Sequence, residues 1–169
     1  MGYLQDIIIE VPKGSRVKYE YDFEKEKIRV DRIMKTAFVY PYNYGYIEKT
    51  IADDGDAVDV LVLCDESFFP LSVIKCKVVG VLYTKDGKDE NNLKGDPKII
   101  CVPEDGVDEE SLLIDDINDI SNVKKEIITD FFTNYKNNYK NKVSVVEKWG
   151  DKKEAINIIE KAIVQYKNK

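Results

Sequence analysis

The first hundred residues alternate between short runs rich in β-branched and aromatic residues and clusters of turn-forming residues. The turn clusters include PKGS, DDGD and KDGKDENN, which are typical of connections between strands. This pattern predicts strands over residues 6–11, 17–23, 27–33, 60–63, 73–82 and 98–102. Their number and their short connections favour a small closed β-barrel.

Beyond the last predicted strand, the apolar positions change to helical spacing, which predicts an amphipathic helix over residues 122–136. The residues with this spacing are Val123, Ile127, Ile128, Phe131, Phe132 and Tyr135. A second helix is predicted to begin at a capping Asp151, with Glu154 three residues later. Its buried face is expected to carry Ile156, Ile159 and Ile163. We expect one domain over residues 1–169, of the α+β class and mainly β.

Composition and charge exclude several classes of function. The chain has no histidine, which removes Ser-His-Asp and Cys-His catalysis and most zinc sites. Its formal net charge of -6 argues against a nucleic-acid or anionic membrane partner. No leader pattern and no apolar run of about 20 residues occurs, so a cytoplasmic location is expected. Cys64, Cys76 and Cys101 lie in apolar runs and are expected to be buried, reduced thiols.

The densest acidic feature is the run from Asp53 to Asp59, which leads directly into a predicted strand. Its carboxylates suit a hard divalent cation, and Gly55 lets the backbone bend. The same residues would also occur in an ordinary solvated turn. An EF-hand loop would need glycine where Asp59 stands and glutamate where Asp65 stands, so that alternative fails. In a haloacid-dehalogenase-like phosphatase the two aspartates follow a buried strand, whereas here the strand follows the acidic motif. This alternative is therefore weakened.

The segment YPYNYGY at residues 40–46 carries four tyrosines. A buried strand could not easily satisfy so many hydroxyl groups, so we expect some of them to be exposed. Phenols are good neutral donors to phosphate oxygens, although the rings could instead cover one end of a barrel.

Several separate motifs together resemble those of family I soluble inorganic pyrophosphatases. They are IIIEVPKGSRVKYE, VDRIM, YPYNYGY, DDGDAVDVLVL, GVLYTKDG, KGDPKI and FFTNYK, and the resemblance runs from about residue 6 to residue 136. It implies a small closed OB-like five-stranded β-barrel with flanking C-terminal helices and the site at the barrel's mouth. It also implies a homo-oligomer, expected to be a hexamer. Family II pyrophosphatases depend on histidine ligands and are excluded.

The resemblance also implies a role for each matching residue in the hydrolysis of pyrophosphate to two phosphates by a metal-activated water. Three or four Mg²⁺ ions would be bound directly by Asp54, Asp59 and Asp96, with Asp86 at the further metals. Glu10 and Glu20 would act on the metals largely through bound waters. Asp56 would accept the proton of the attacking water. The groups that would hold the two phosphoryl units are Lys18, Arg32, Tyr44, Lys98, Tyr135 and Lys136, with Tyr40 in support.

The summed formal charge of the assigned site residues supports a requirement for metals. The seven carboxylates and four cations just named leave a formal charge of -3, which would repel pyrophosphate at roughly -3 to -4. Divalent cations would bring the assembled site close to neutral.

The chain departs from the family pattern at two places. Ala57 stands where the family usually has proline, which would make the acidic loop less rigid. The segment between Asp86 and Asp96 is a few residues longer than in compact members, so Asp89 is an alternative ligand to Asp86.

Two other functions remain open at this stage. One is a non-catalytic OB-like binding module, although a nucleic-acid groove should be basic and rich in exposed aromatics. The other is a metal-dependent phosphatase acting on nucleotides or other phosphate esters.

Overall fold

The structure is a computed structural model that describes residues 2–169. Within these residues the chain forms nine strands and two α-helices. The strands are β1 (Leu4–Val11), β2 (Val17–Asp22), β3 (Lys27–Ile33), β4 (Asn43–Ile47), β5 (Val58–Val62), β6 (Val73–Gly87), β7 (Leu93–Gly95), β8 (Lys98–Pro103) and β9 (Val143–Gly150). The helices are α1 (Asn122–Asn134) and α2 (Lys152–Lys167), and short 3-10 turns at Glu109–Ser111 and Ile117–Asp119 precede α1.

Five strands form a closed ring in the order β1, β4, β5, β8 and β6. All neighbours in the ring are antiparallel except β5 and β8, which run parallel. Strand β6 closes the ring by pairing with β1, from Leu4 opposite Lys77 to Ile8 opposite Val73. The predicted mainly β class and the closed five-stranded, OB-like arrangement with flanking helices are therefore confirmed.

Strand β6 also extends beyond the ring. It has 15 residues, and its far end pairs with β7 on one side and with β9 on the other. The prediction that this strand ends at residue 82 was too short, and β4, β7 and β9 were not predicted. The three residues of β7 are too few to show alternation, and β9 carries charged and half-buried positions that give only a weak strand pattern. Strands β2 and β3 form a separate hairpin.

The expectation that some tyrosines of residues 40–46 are exposed is wrong. Tyr40, Tyr42, Tyr44 and Tyr46 are all at most 7% exposed, because this segment runs into β4, which lies in the ring between β1 and β5. Gly45 allows the close approach of β1, since a Cβ atom there would lie 2.0 Å from the carbonyl oxygen of Ile8. The four side chains are thus largely removed from bulk solvent.

The two helices match their predicted positions with small differences. Helix α1 ends at Asn134, with Tyr135 as its C-cap, so it is shorter than predicted. Val123 and Ile127 lie outside its buried face. Helix α2 has the predicted capping box: the Asp151 amide donates to Glu154, and the Glu154 amide donates to the Asp151 side chain. On its inner face Ala155, Ile159 and Ala162 are buried, while Ile156 and Ile163 are half-buried.

Two apolar clusters hold the ring and the helices together. Alternate residues of β5 point to opposite clusters, as expected for a strand that is covered on both faces. Leu61 packs in the cluster beneath α1, whereas Val58, Val60 and Val62 pack in the cluster beneath α2. The three cysteines are buried and free, as predicted. Neither helix of the described chain is both long and apolar enough to cross a membrane.

Candidate active site

The structure places every residue assigned to catalysis or binding in the wall of one cavity of about 350 Å³. The wall is formed by β1, the β2–β3 hairpin, β4, the loop before β5, β6, β8 and the end of α1. The assigned residues are Glu10, Lys18, Glu20, Arg32, Tyr44, Asp54, Asp56, Asp59, Asp86, Asp96, Lys98, Tyr135 and Lys136. Tyr40, which was given a supporting role, also lines the cavity. The individual roles remain predictions, but the positions that they require are all present.

The acidic loop forms a tight turn that presents three carboxylates to the cavity. The Ala52 amide donates to the Asp56 carbonyl at 2.7 Å, and the Asp56 amide donates to Asp54 Oδ1 at 3.0 Å. Gly55 has a φ of 91°, in the left-handed region that favours glycine. Asp54 and Asp56 therefore line the cavity from the turn, and Asp59 lines it from the first residues of β5.

Helix α2 supports the back of this loop. The Ile51 amide donates to the Ala162 carbonyl at 3.0 Å. Asp53, which points away from the cavity, accepts from Gln165 at 3.2 Å and pairs with Lys161 at 3.1 Å. Because Lys161 and Asp53 are both exposed, this ion pair contributes little energy by itself. The backbone hydrogen bond fixes the loop more firmly.

Lys98 is the buried centre of the cavity floor. Its ammonium donates to Asp59 at 2.8 Å, to Asp96 at 2.6 Å and to the Tyr44 hydroxyl at 3.0 Å. Burial alone would lower the pKa of Lys98, but Asp59 and Asp96 outweigh it and raise that pKa well above its ordinary value. Burial, followed by the charge of Asp59, raises the pKa of Tyr44 well above its usual value. The Tyr44 hydroxyl thus stays neutral and keeps its own proton for donation to an anion.

A second pair of opposite charges lies at the edge of the cavity, where α1 ends. Lys136 donates to the carboxylate of Asp86, and Tyr135 is buried beside it as the C-cap of α1. Asp86 lines the cavity, whereas the carboxylate of the alternative ligand Asp89 accepts from Asn92 within the surface turn. The geometry favours Asp86 over Asp89.

The acidic side of the cavity holds more negative charge than its lysines offset. Burial raises the pKa of Glu10 to about 7, although the hydrogen bond from the Tyr21 amide lowers it. The charges of Asp59 and Glu20 add to the rise. Burial also raises the pKa of Asp54, with smaller contributions from neighbouring aspartates. These carboxyl groups would be stabilised by additional positive charge.

The opposite side of the cavity is basic. Lys18 and Arg32 approach the carboxylate of Asp31 at 3.5 Å and 3.8 Å, distances that give weak pairs. The Nε atom of Arg32 is buried and has no hydrogen-bond partner within residues 2–169. A buried donor without a partner is costly, so an anion in the cavity would satisfy it.

Sequence reasoning missed several residues of the cavity wall. The most consequential is Lys142, because partial burial and the charges of Arg32 and Lys136 lower its pKa. Nothing in the sequence distinguished Lys142 from the neighbouring Lys140. The other missed residues are Tyr19, Tyr21, Phe23, Tyr46 and Ala57. Tyr19, Tyr21 and Phe23 lie in the predicted strand over residues 17–23, and Tyr46 lies in the tyrosine-rich segment, but none of them was given an individual role in the site.

The donor set suits hard divalent cations. Its potential ligands are all carboxylate oxygens, which Mg²⁺ prefers to nitrogen or sulfur. Within residues 2–169 no three such groups converge closely enough to define a metal site, since Lys98 lies between Asp59 and Asp96. With all groups ionised, the seven carboxylates and five cations of the wall carry a formal charge of -2. This excess and the raised pKa values on the acidic side fit a site that binds cations there.

Sequence comparison identifies relatives along most of the chain. Residues 7–167 match the family model described as inorganic pyrophosphatase. The inorganic pyrophosphatase of Sulfolobus acidocaldarius is 42% identical over 158 residues, which cover 94% of this chain and 88% of that protein. The inorganic pyrophosphatase of Nanoarchaeum equitans is 46% identical over 162 residues, covering 94% of this chain and 95% of its own length.

Structural comparison gives the same relationship. The crystal structure of inorganic pyrophosphatase from Thermus thermophilus matches with a TM-score of 0.89 and 38% identity, covering 97% of this chain and 91% of that one. A structure of the inorganic pyrophosphatase of Helicobacter pylori matches with a TM-score of 0.90 and 40% identity, covering 96% and 92% of the two chains.

Proposed function

Because this chain belongs to the inorganic pyrophosphatase family, we propose that it hydrolyses pyrophosphate to two phosphates, with Mg²⁺ bound on the acidic side of its cavity. One observation carries the proposal. The family motifs are scattered from Glu10 to Lys136, yet the thirteen polar residues to which they assign a role in the site all line the same cavity. A protein that shared only the fold of the family, without its activity, would not be expected to bring this set of side chains together in one cavity.

The two sides of the cavity support a division between metal binding and substrate binding. Asp54, Asp59, Asp86 and Asp96 would hold the cations, with Glu10 and Glu20 acting through bound waters. When bound, Mg²⁺ lowers the pKa of a coordinated water and offsets the charge of phosphate oxygens. Lys18, Arg32, Lys136 and Tyr135 would hold the phosphoryl groups through charged or neutral donors.

The protein's own residues account for the proton and for the leaving group. Asp56 lies on the exposed turn of the acidic loop, where its carboxylate can accept a proton from the attacking water. The water oxygen forms a bond to one phosphorus, the bridging P–O bond breaks, and its electron pair goes to the leaving phosphate. Tyr44 can donate to a phosphate oxygen while it accepts from Lys98. Positioned donors of this kind supply much of the acceleration in phosphoryl transfer.

The decisive experiment measures phosphate release from pyrophosphate, ATP and p-nitrophenyl phosphate, with Mg²⁺ and with chelator. We expect Mg²⁺-dependent activity that strongly prefers pyrophosphate. Asp86→Asn and Asp89→Asn form a matched pair, since the same change is made inside and outside the cavity. Only Asp86→Asn should impair turnover. A preference for ATP or the monoester would favour a general phosphatase, and no release from any substrate would favour a binding module.

A homo-oligomer, expected to be a hexamer, is part of the same proposal. It rests on the family resemblance, and sedimentation equilibrium of the purified protein would test it.

A further inference from the structure

Tyr139 lies in the connection between α1 and β9, at the centre of three cations. Its ring centroid is 5.1 Å from Arg32 Cζ, 4.9 Å from Lys35 Nζ and 5.8 Å from Lys142 Nζ. Its hydroxyl group donates to the carbonyl of Ile33 at 2.9 Å. The side chain therefore ties this connection to the end of β3, next to two cations that line the cavity.

The backbone of the connection holds Tyr139 in this position. The Tyr139 amide donates to the Lys136 carbonyl at 3.2 Å. Asn138 and Asn141, on either side, have φ values of 71° and 59°, in the left-handed region that asparagine tolerates better than most residues. The two bends bring the ring back across the end of β3.

Arg32 has few other contacts that would orient it. Its only acidic partner within residues 2–169 is Asp31, at 3.8 Å, and its buried Nε atom has no hydrogen-bond partner. A close carboxylate would orient the guanidinium but would occupy its N–H groups and neutralise it. An aromatic face attracts the cation through the ring quadrupole and leaves the N–H groups free.

We propose that Tyr139 is a positioning residue that directs Arg32 into the cavity while leaving its donors free for a phosphoryl group. This inference rests on the proposed function. The same ring lies beside Lys142, whose pKa is lowered by partial burial and by the charges of Arg32 and Lys136. The negative face of the ring offsets part of this repulsion between like charges, so both cations can lie on one side of the cavity.

The test compares steady-state kinetics on magnesium pyrophosphate for Tyr139→Leu, Tyr139→Phe and the unsubstituted protein. Loss of a cation–π contact corresponds to roughly a two- to thirtyfold change in binding. We expect Tyr139→Leu to raise KM by that factor with a smaller effect on kcat. Tyr139→Phe keeps the aromatic face and should restore most of the affinity. Tyr166→Leu, at an exposed tyrosine of α2 outside the cavity, is the matched control.

A double-mutant cycle separates positioning from a general structural effect. If Tyr139 acts through Arg32, Tyr139→Leu should have little further effect on KM in an Arg32→Gln background. An unchanged KM in Tyr139→Leu, or an equal effect with and without Arg32, would overturn the inference. Absence of pyrophosphate hydrolysis by the unsubstituted protein would instead refute the proposed function.

Discussion

Replacement of Glu10 by glutamine should stabilise the metal-free protein at alkaline pH. Glu10 is largely buried on the cavity wall, and its pKa is raised to about 7 from an ordinary value of 4.5, mainly by burial. Its Oε2 atom accepts from the Tyr21 amide at 2.8 Å. Glutamine keeps an oxygen that can accept this hydrogen bond but carries no charge, so it imitates the protonated acid.

The size of the effect follows from proton linkage. The folded protein binds a proton at Glu10 more tightly than the unfolded chain does, so ionisation of Glu10 destabilises the fold and stability rises as the pH falls from 7 towards 4.5. The difference between the folded and unfolded pKa values of Glu10 corresponds to about 3 kcal/mol at pH 8, where Glu10 is ionised in both states. At pH 5 the folded state is already protonated, and the penalty falls to about 1 kcal/mol or less.

Urea unfolding in chelator, at pH 8 and pH 5 and at one protein concentration, would measure this difference. Glu10→Gln should increase the free energy of unfolding by about 3 kcal/mol at pH 8 and by much less at pH 5. Glu20→Gln is the control, because Glu20 lines the same cavity but is exposed, and its substitution should change stability by about 0.5 kcal/mol or less. An equal gain for Glu10→Gln at both pH values would refute the argument.

Three further predictions concern activity. Asp56→Asn should reduce kcat by about 10² to 10⁴ with little change in the Mg²⁺ concentration required for activity, whereas Asp54→Asn and Asp59→Asn should raise that concentration and regain activity at high Mg²⁺. Magnesium titrations that measure kcat at saturation distinguish these outcomes. If saturating Mg²⁺ restored the activity of Asp56→Asn, Asp56 would be another metal ligand. Lys136→Ala should raise KM about 10- to 100-fold by removing charge-assisted contacts. Lys140→Ala is the control, because Lys140 is exposed and lies outside the cavity wall, and its KM should match that of the unsubstituted enzyme. Equal KM values for the two variants would mean that the end of α1 only packs. Ca²⁺ should inhibit the Mg²⁺ enzyme because its longer, irregular coordination misplaces the attacking water, and full activity in Ca²⁺ or after chelation would contradict the metal-based mechanism.

The sequence predicted the positions of site residues better than it predicted their surroundings. The motifs that contain Asp54, Lys98 and Lys136 identify polar residues whose positions in the fold depend on the strands of the ring. Most of those strands were predictable because their apolar residues form a strong pattern. Lys142 escaped notice because the property that matters, its proximity to Arg32, arises from a turn with two left-handed asparagines. Such proximity between distant segments leaves no periodic signal.

The error over the four tyrosines has a different cause. Local reasoning counted hydroxyl groups and inferred exposure, but a buried hydroxyl is acceptable when the fold supplies a partner. Lys98, more than fifty positions later in the chain, supplies one for Tyr44. The boundary of α1 was also set by tertiary structure, because Tyr135 leaves the helix as its C-cap while its ring packs against Phe131 and Phe132.

The chain order of the ring and of α2 has a consequence for synthesis on the ribosome. All five ring strands have been made once Pro103 is added, but α2, which covers the apolar cluster around Val58 and Val60, is complete only at Lys167. At usual translation rates the intervening roughly 60 residues take about 3 to 12 s. During that interval the nascent chain can pair its strands but must leave this apolar surface uncovered. Translation that stalls between these points would therefore yield an aggregation-prone ring, and α2 protects the newly made protein as well as the finished site.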